Sequence, residues 1–167
     1  MEMRKAGQKV ALVSDAGTPT ISDPGYHLVQ TCAEGGLSVV PIPGPVAAIV
    51  ALSASGLPTD SFLFLGFPPH KQGKLERFVE EMLVPGRTSI IYLPLRRLPS
   101  VLKKIAGVEP EARVVVAREL TKVHEEFIRG SAKDLLEDVD SITLKGECTL
   151  LAYVNRPARV KKNKYPR

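Results

Sequence analysis

The sequence predicts an α/β protein of two domains, on two observations. Short apolar runs that are typical of buried strands alternate with segments of helical periodicity along most of the 167 residues. The alternation is interrupted at Leu57-Pro58-Thr59-Asp60, where a proline and polar residues mark a boundary. We therefore predict an N-terminal α/β domain over residues 1–58, a C-terminal α/β domain over residues 59–155 and a basic tail over residues 156–167.

Composition places the chain among globular proteins. Hydrophobic residues make up 44% and charged residues 25% of the sequence, which argues against disorder. No apolar run reaches the roughly 18 residues that a membrane helix needs, and residues 1–7 contain no apolar stretch typical of a signal peptide. Cys32 and Cys148 have no metal-ligand spacing, so we predict buried thiols, no metal and no disulfide. A cytoplasmic protein with no membrane partner is expected.

The chain is basic, with a net charge of +5, and much of the excess lies in the tail. This balance is compatible with a polyanionic partner without requiring one. The tail is either a solvated, frayed end or a segment that contacts phosphates. Its cations are Arg156, Arg159, Lys161, Lys162, Lys164 and Arg167.

The N-terminal domain is predicted to alternate strands and helices. The predicted elements are a strand at 9–14, a helix capped by Asp23 with Pro24 at its first position and ended by Gly35-Gly36, a strand at 37–42, and a helix at 46–54 that is apolar on every side. Such spacing implies parallel strands with crossover helices, whose ligands bind beyond the carboxyl ends of the strands. The segments Asp15 to Pro19 and Pro43 to Ala47 are therefore expected on the same rim, where their small residues allow a ligand to approach the backbone.

The C-terminal domain is predicted to contain five strands and three helices. The strands are at 62–67, 88–92, 113–118, 125–129 and 147–154, and the helices are at 75–83, 98–105 and 132–139.

Two common nucleotide-binding classes are excluded by missing motifs. The sequence has no GxxxxGK[ST] run and no GxGxxG after its first strand, so neither a P-loop nor a dinucleotide fingerprint is present. Gly17-Thr18-Pro19 after a strand is, by itself, weak evidence, because such a segment is more often a simple turn than a ligand-binding loop.

Five motifs in register carry a family resemblance. They are VALVSDAGTPTISDPG at 10–25, VPIPGP at 40–45, ALSASGLP at 51–58, VARELTK at 116–122 and HEE at 124–126. In order and spacing they resemble the ribosomal RNA small-subunit methyltransferase I family. These are cytidine 2′-O-methyltransferases of the tetrapyrrole methylase superfamily, and the resemblance covers nearly the whole chain.

The resemblance implies a two-domain tetrapyrrole methylase-like fold with S-adenosylmethionine (SAM) bound in the cleft between the domains. It also implies methyl transfer to the ribose 2′-hydroxyl of a cytidine in 16S rRNA of the small ribosomal subunit. The cofactor-binding residues that it implies are Asp15, Ala16, Gly17, Thr18, Pro19, Ile21, Ser22, Asp23, Pro45, Ala47 and Ala48.

The chain departs from the family pattern at two places that bear on these expectations. Relatives have an earlier strand with a Gly-Thr-Pro-Ile-Gly-Asn-Leu-type loop, so we expect an incomplete N-terminal domain, with an exposed strand edge that favours a homodimer. In addition, Leu93-Pro94-Leu95-Arg96-Arg97 stands where relatives usually show Glu-Ser-Pro-His-Arg.

Charged residues supply the candidates for catalysis and RNA binding. A ribose hydroxyl must lose its proton as it attacks a methyl group, and Lys122 or Glu119 is the candidate acceptor. Arg118 is a candidate phosphate contact, as are Lys71 and Lys74 in a basic loop. The alternatives are a structural ion-pair cluster around Arg118 and a solvated loop around Lys71.

Two rival functions remain open from the sequence. One is a tetrapyrrole methylase that acts on a corrin precursor. The other is a truncated, inactive chain that only binds or dimerises.

Overall fold

A computed structural model describes residues 9–155, and contacts between Cα atoms divide the chain into two compact units, residues 1–47 and 48–167. The division lies before the boundary expected near residues 57–60, because helix α2 (Ala47–Ser55) belongs to the second unit from Ala48 onward. Arg129 and Arg113 donate to the carbonyls at its carboxyl end. The domain limits proposed from the sequence stay a prediction.

The first unit contains one helix, α1 (Tyr26–Glu34), among its described residues. The prediction of strands at 9–14 and 37–42 is wrong, because no residue of 9–47 pairs in a β-sheet. Several of their apolar side chains are exposed instead: Val13 by 80%, Val40 by 73% and Ile42 by 79%. An apolar run shows that a segment favours burial, but a strand also needs a partner to pair with, and neither segment has one within residues 9–155.

Helix α1 does not begin as the sequence suggests. Its N-cap is Gly25, with φ 126° and no side-chain cap, rather than Asp23, and Pro24 lies before the helix. In the preceding backbone Thr20 and Ser22 adopt positive φ, and the helix starts only after Gly25. Gly35-Gly36 ends the helix as predicted, because the N–H groups of both glycines bond to carbonyls of its last turn.

The second unit is built on a five-stranded mixed sheet of order β1-β2-β5-β3-β4. The strands are β1 (Phe62–Phe64), β2 (Thr88–Pro94), β3 (Arg113–Arg118), β4 (Glu126–Ser131) and β5 (Glu147–Tyr153). Strands β1 and β2 are parallel, and the other neighbours are antiparallel. All five predicted strands are confirmed, with small shifts at their ends.

Three further helices and two 3₁₀ segments complete the second unit. They are α3 (Gln72–Met82), the 3₁₀ turn Leu95–Arg97, α4 (Leu98–Val108), α5 (Ala132–Glu137) and the 3₁₀ turn Val139–Ser141. The apolar faces of α3, α4 and α5 pack with the central strands in one core. Helix α2 is apolar on every side in sequence but is buried on one side only, since Ile49 is 47% exposed while Ala48, Ala51 and Leu52 are buried. Within residues 9–155 no helix has the length and apolarity to cross a bilayer.

Candidate functional site

The segment after residue 14 forms a tight loop, here called the glycine loop (residues 15–23). The Ser14 hydroxyl donates to the carbonyls of Ala16 and Gly17, at 3.1 and 3.2 Å, and so curls the backbone at its start. Gly17 has φ 76°, a conformation that favours glycine. The loop therefore exposes backbone and mostly small side chains, with Ile21 as its one large exposed apolar group.

The glycine loop touches the turn before helix α2, although the sheet edge on which both were predicted to lie does not form within residues 9–47. Thr18 Oγ1 donates to the Pro45 carbonyl at 3.1 Å. A Cβ at Gly17 would lie 3.2 Å from the same carbonyl oxygen, and a Cβ at Gly44 would lie 3.1 Å from Thr18 Oγ1. The approach is tight at both positions, so a side chain at Gly17 or Gly44 would require its neighbour to shift.

The other predicted cofactor residues differ in accessibility. Asp15, Ala16, Gly17, Ile21, Ser22, Pro45 and Ala47 are exposed, whereas Thr18, Pro19 and Asp23 are half-buried. Ala48 is 1% exposed, so its side chain offers no accessible surface and the exposed part of this wall is formed by Pro45 and Ala47.

Tyr92 fixes the first turn of helix α2, a role that sequence reasoning missed. The Ala48 N–H donates to the Tyr92 hydroxyl at 3.2 Å. The ring of Tyr92 is held edge-on by Phe64 and Phe67, with ring centroids 4.9 and 5.6 Å away. The one available signal was that Val46, just before the helix, has no side chain able to cap it.

Arg118, at the end of β3, is bound in an ion pair. Its Nη1 lies 2.9 Å from Glu126 Oε2, on the neighbouring strand, and its side chain is only 15% exposed. Its Nε is buried without a hydrogen-bond partner among the described residues. Arg118 therefore forms an ion pair, as in the structural alternative to phosphate contact. Its Nε is the guanidinium nitrogen that has no hydrogen-bond partner among the described residues.

The loop that joins β3 to β4, here called the hairpin loop (residues 119–125), is held by internal bonds. Lys122 Nζ lies 3.3 Å from the Glu119 carboxylate, and the Lys122 N–H donates to the Glu119 carbonyl at 3.0 Å. Glu125 accepts the Thr121 N–H at 2.7 Å, a bracing role that the sequence did not reveal. Lys122 is 65% exposed and Glu119 26% exposed, so the ion pair is open to solvent on the lysine side.

Backbone strain marks both loops. Within residues 9–155 the non-glycine residues of positive φ are Thr20 (74°), Ser22 (59°), Glu119 (49°) and Thr121 (64°). Two lie in the glycine loop and two in the hairpin loop. Because such conformations persist only where the surroundings enforce them, and tend to occur at functional sites, they single out the segments that the sequence selected for the cofactor and for catalysis.

Neither cysteine is a candidate for a catalytic nucleophile. Cys32 and Cys148 are buried and free, as predicted. Burial raises the pKa of the Cys148 thiol to about 12, with Glu147 adding to the rise and Arg118 opposing it. The thiol is therefore protonated at neutral pH and is a poor nucleophile. Residues 9–155 hold no group of three or more His, Cys, Asp or Glu side chains arranged to bind a metal.

The remaining predicted RNA contacts lie at the start of α3. Lys71 is the residue before the helix, Lys74 is in its first turn, and both side chains are exposed. The basic tail at 156–167 lies outside the described residues.

Two curated proteins of the same name are similar to this chain over most of its length. "Ribosomal RNA small subunit methyltransferase I" of Hydrogenobaculum sp. is 47% identical over 86% of this chain and 63% of its own length. The protein of that name from Escherichia coli O157:H7 is 49% identical over 87% of this chain and 52% of its own length. The chain thus spans between half and two thirds of these relatives.

Solved structures share the fold at low sequence identity. The crystal structure of the methyltransferase CobJ superposes with a TM-score of 0.65 at 19% identity and covers 92% of this chain and 67% of its own. Uroporphyrin-III C-methyl transferase from Thermus thermophilus, complexed with S-adenyl homocysteine, superposes with a TM-score of 0.53 at 17% identity and covers 82% and 62%.

The sequence profile of the tetrapyrrole (corrin/porphyrin) methylases matches residues 1–136, which is most of the chain. The expected tetrapyrrole methylase-like α/β fold is confirmed by this match and by the superpositions. The chain belongs to the tetrapyrrole (corrin/porphyrin) methylase family.

Proposed function

We propose that this protein is a SAM-dependent methyltransferase that methylates the ribose 2′-hydroxyl of a cytidine in 16S rRNA of the small ribosomal subunit. The observation that carries the proposal is identity of 47% and 49% to two proteins named as ribosomal RNA small subunit methyltransferase I. One of the two fold neighbours is named as a uroporphyrin-III C-methyl transferase, but identities below 20% relate both to this chain by fold alone.

The glycine loop and the turn at Pro45 fit SAM as the cofactor. Their surface consists largely of backbone and small side chains, including Ala16, Gly17 and Ser22. Peptide N–H and C=O groups suit a zwitterion that also carries a sulfonium. The approach of Gly17 to the Pro45 carbonyl is tight, so a larger residue there would require its neighbour to shift.

SAM, when bound, supplies a methyl group on an electron-poor sulfur. The residues of the chain have three tasks: binding the cofactor, orienting the ribose and accepting the hydroxyl proton. We assign cofactor binding to the glycine loop with Pro45 and Ala47. Tyr92 holds the first turn of α2, which begins two residues after Pro45, through the Ala48 N–H.

Proton acceptance is assigned to the Glu119–Lys122 pair. A carboxylate is ready to accept a proton, whereas a lysine that donates to that carboxylate must first lose one. In the observed geometry Lys122 therefore orients Glu119, and Glu119 is the group prepared to act as base. Removing each side chain in turn distinguishes the two roles.

The experiment that tests the proposal offers the protein two possible acceptors of the methyl group. The protein is incubated with methyl-labelled SAM and either small ribosomal subunits lacking the modification or a corrin precursor. Label in RNA and none in the tetrapyrrole is the expected result. Label in the tetrapyrrole alone would show that the substrate class is wrong while SAM use stands, and label in neither would leave a binding role only.

A further inference from the structure

Helices α3 and α4 lie side by side and point in the same direction. At their starts, Arg97 Nη1 and Nη2 donate to the carbonyls of Pro68 and Pro69, at 2.8 and 2.5 Å, just before α3. About two turns further on, Lys104 of α4 forms an ion pair with Glu76 of α3 at 2.5 Å. Two contacts in the same order along both helices bring their amino-terminal ends together at one edge of the second unit.

The two segments that form this shared end carry cations and no acid of their own, and the neighbouring end of β5 contributes Glu147, which pairs with Pro94. The segments 61–75 and 82–108 contain no Asp or Glu, so the first acidic residue of α3 is Glu76. The exposed cations at the shared end are Lys71, Lys74 and Arg96, which together are called the basic end surface below. The amino-terminal ends of both helices add partial positive charge there.

The cations of the basic end surface are not neutralised by the protein. Lys104, Lys122 and Lys133 each pair with a carboxylate. By contrast, the side chains of Lys71, Lys74 and Arg96 form no ion pair or hydrogen bond with any residue of 9–155. Exposed unpaired cations on a rigid scaffold bind phosphates at little cost in desolvation.

Arg97 has a different role from its neighbour Arg96. Both ends of its guanidinium fork are used by the two proline carbonyls, and its side chain is half-buried. It thus ties the loop that carries Lys71 to the turn that carries Arg96. Two carbonyls are held at once because the guanidinium is planar and forked, a geometry that lysine cannot reproduce.

We propose that the basic end surface binds the phosphodiester backbone of the acceptor RNA, with Lys71, Lys74 and Arg96 in contact and Arg97 as a positioning residue. The inference rests on the proposed RNA methyltransferase function and adds the surface by which RNA is held. The role of Arg96 is specific to this chain's Leu-Pro-Leu-Arg-Arg segment, where two consecutive arginines divide anchoring and contact between them.

The test measures binding of deproteinised 16S rRNA directly, by fluorescence anisotropy across a range of salt concentrations, without methyl transfer. Arg96→Ala should weaken binding and reduce the slope of log affinity against log salt by about one, and Lys71→Ala with Lys74→Ala by about two. Arg87→Ala is the matched control, because Arg87 is an exposed arginine at the opposite end of strand β2 and should change neither quantity.

The Arg97→Lys variant tests the positioning role of Arg97, because it keeps the positive charge but removes the forked guanidinium that holds the two proline carbonyls. The expected result is weaker RNA binding and a higher KM for RNA, with kcat at saturating RNA and SAM affinity unchanged. A variant that was merely less stable would lose SAM affinity and kcat together, so unfolding is separated from mispositioning.

Three results would overturn the inference. Arg96→Ala could match Arg87→Ala in affinity and salt slope, in which case the surface does not touch RNA. Arg97→Lys could leave the KM for RNA unchanged, which would remove its positioning role. Loss of binding only with intact subunits, and not with naked rRNA, would assign the surface to a ribosomal protein. In each case label transfer to RNA by the unaltered protein would still stand, so the two proposals fail separately.

Discussion

At the scale of single residues, the positive φ values of Thr20, Ser22, Glu119 and Thr121 carry the most information. Each costs on the order of 1–3 kcal/mol, and Thr20 and Thr121 are β-branched residues that rarely adopt this region. None of them lies in a helix or strand, so their conformations serve the shapes of the two loops rather than the regular elements.

Gly17→Val is predicted to abolish cofactor binding. The new side chain would meet the Pro45 carbonyl from a Cβ only 3.2 Å away, and it would be strained at φ 76°. Isothermal titration of S-adenosylhomocysteine measures the effect. Gly36→Val is the control, because Gly36 has φ 65° with no atom within 4 Å of an added Cβ. Equal losses in both variants would point to backbone strain alone, and unchanged binding in Gly17→Val would place the cofactor elsewhere.

Glu119→Gln is predicted to lower the rate of methyl transfer at saturating RNA by about a hundredfold, as expected for loss of a general base. Lys122→Met should lower it as well, because the carboxylate loses the group that orients it. SAM affinity should not change in either. Lys133→Met, which breaks the exposed pair with Glu111, is the control. Full rates in both loop variants would reduce the pair to a structural contact, and a loss in Lys122→Met alone would make lysine the base.

Which residues could be read from the sequence depended on how local their roles are. The residue types of Gly17, Thr18 and Pro45, beside predicted strand ends, indicate loops that a ligand can approach. In the structure Thr18 donates a hydrogen bond to the Pro45 carbonyl. Tyr92 lies 44 positions from Ala48 in the chain, so no local pattern reveals that its hydroxyl accepts that N–H. Arg118 was proposed as a phosphate contact on its charge alone, because its pairing with Glu126 requires the β3–β4 register.

At the scale of elements, helix α2 shows how a missing local signal is replaced by a tertiary contact. Its preceding residue, Val46, cannot cap the helix, and the buried Ala48 N–H would be costly to leave unpaired. Tyr92 from β2 supplies the acceptor. At the other end, Arg129 donates to the Ala54 and Ser55 carbonyls and Arg113 to the Gly56 carbonyl. Both ends of α2 are therefore fixed from the sheet.

Tyr92→Phe is predicted to weaken cofactor binding with only a modest loss of stability. The change removes one hydroxyl and leaves the Ala48 N–H unsatisfied, at a cost of about 1–3 kcal/mol, while the packing of the ring on Phe64 is kept. Thermal unfolding and titration of S-adenosylhomocysteine measure the two effects. Tyr153→Phe, on the adjacent strand β5, is the control. If both variants bind the cofactor like the unaltered protein, the first turn of α2 does not depend on Tyr92.

The strands of the second unit were predictable because each is signalled by its own residues. Strand β3, with its Val114-Val115-Val116 run, occupies the residues predicted for it. The runs at 9–14 and 37–42 have the same apolar character yet form no strand among the described residues, because a ladder depends on a second segment. The strand order β1-β2-β5-β3-β4 was likewise beyond a local pattern, since β5 pairs with β2 and β3 across a long stretch of sequence.

At the scale of the whole molecule, the two units differ in how far their large apolar side chains are buried. The second unit buries most of its large apolar side chains in one core. The first unit leaves Val13, Val40 and Ile42 more than 70% exposed. Large apolar side chains left exposed on a folded unit are candidates for an interaction surface.

We predict that the chain self-associates through this apolar surface, in keeping with the proposed homodimer. Sedimentation at increasing concentration should show a mass above that of one chain. Val13→Ser combined with Val40→Ser should shift the equilibrium toward the monomer. Val108→Ser, which alters an exposed valine at the end of α4, should not. A monomer at every concentration tested would contradict the prediction.

The most direct test of the proposed function is to identify the methylated nucleoside. Small ribosomal subunits that lack the modification are incubated with the protein and SAM carrying a trideuterated methyl group, and the RNA is digested for mass spectrometry. We expect the heavy methyl group in 2′-O-methylcytidine, and none of it with Glu119→Gln at short times. A heavy methyl group on a base, on another nucleoside or on no RNA product would contradict a cytidine 2′-O-methyltransferase.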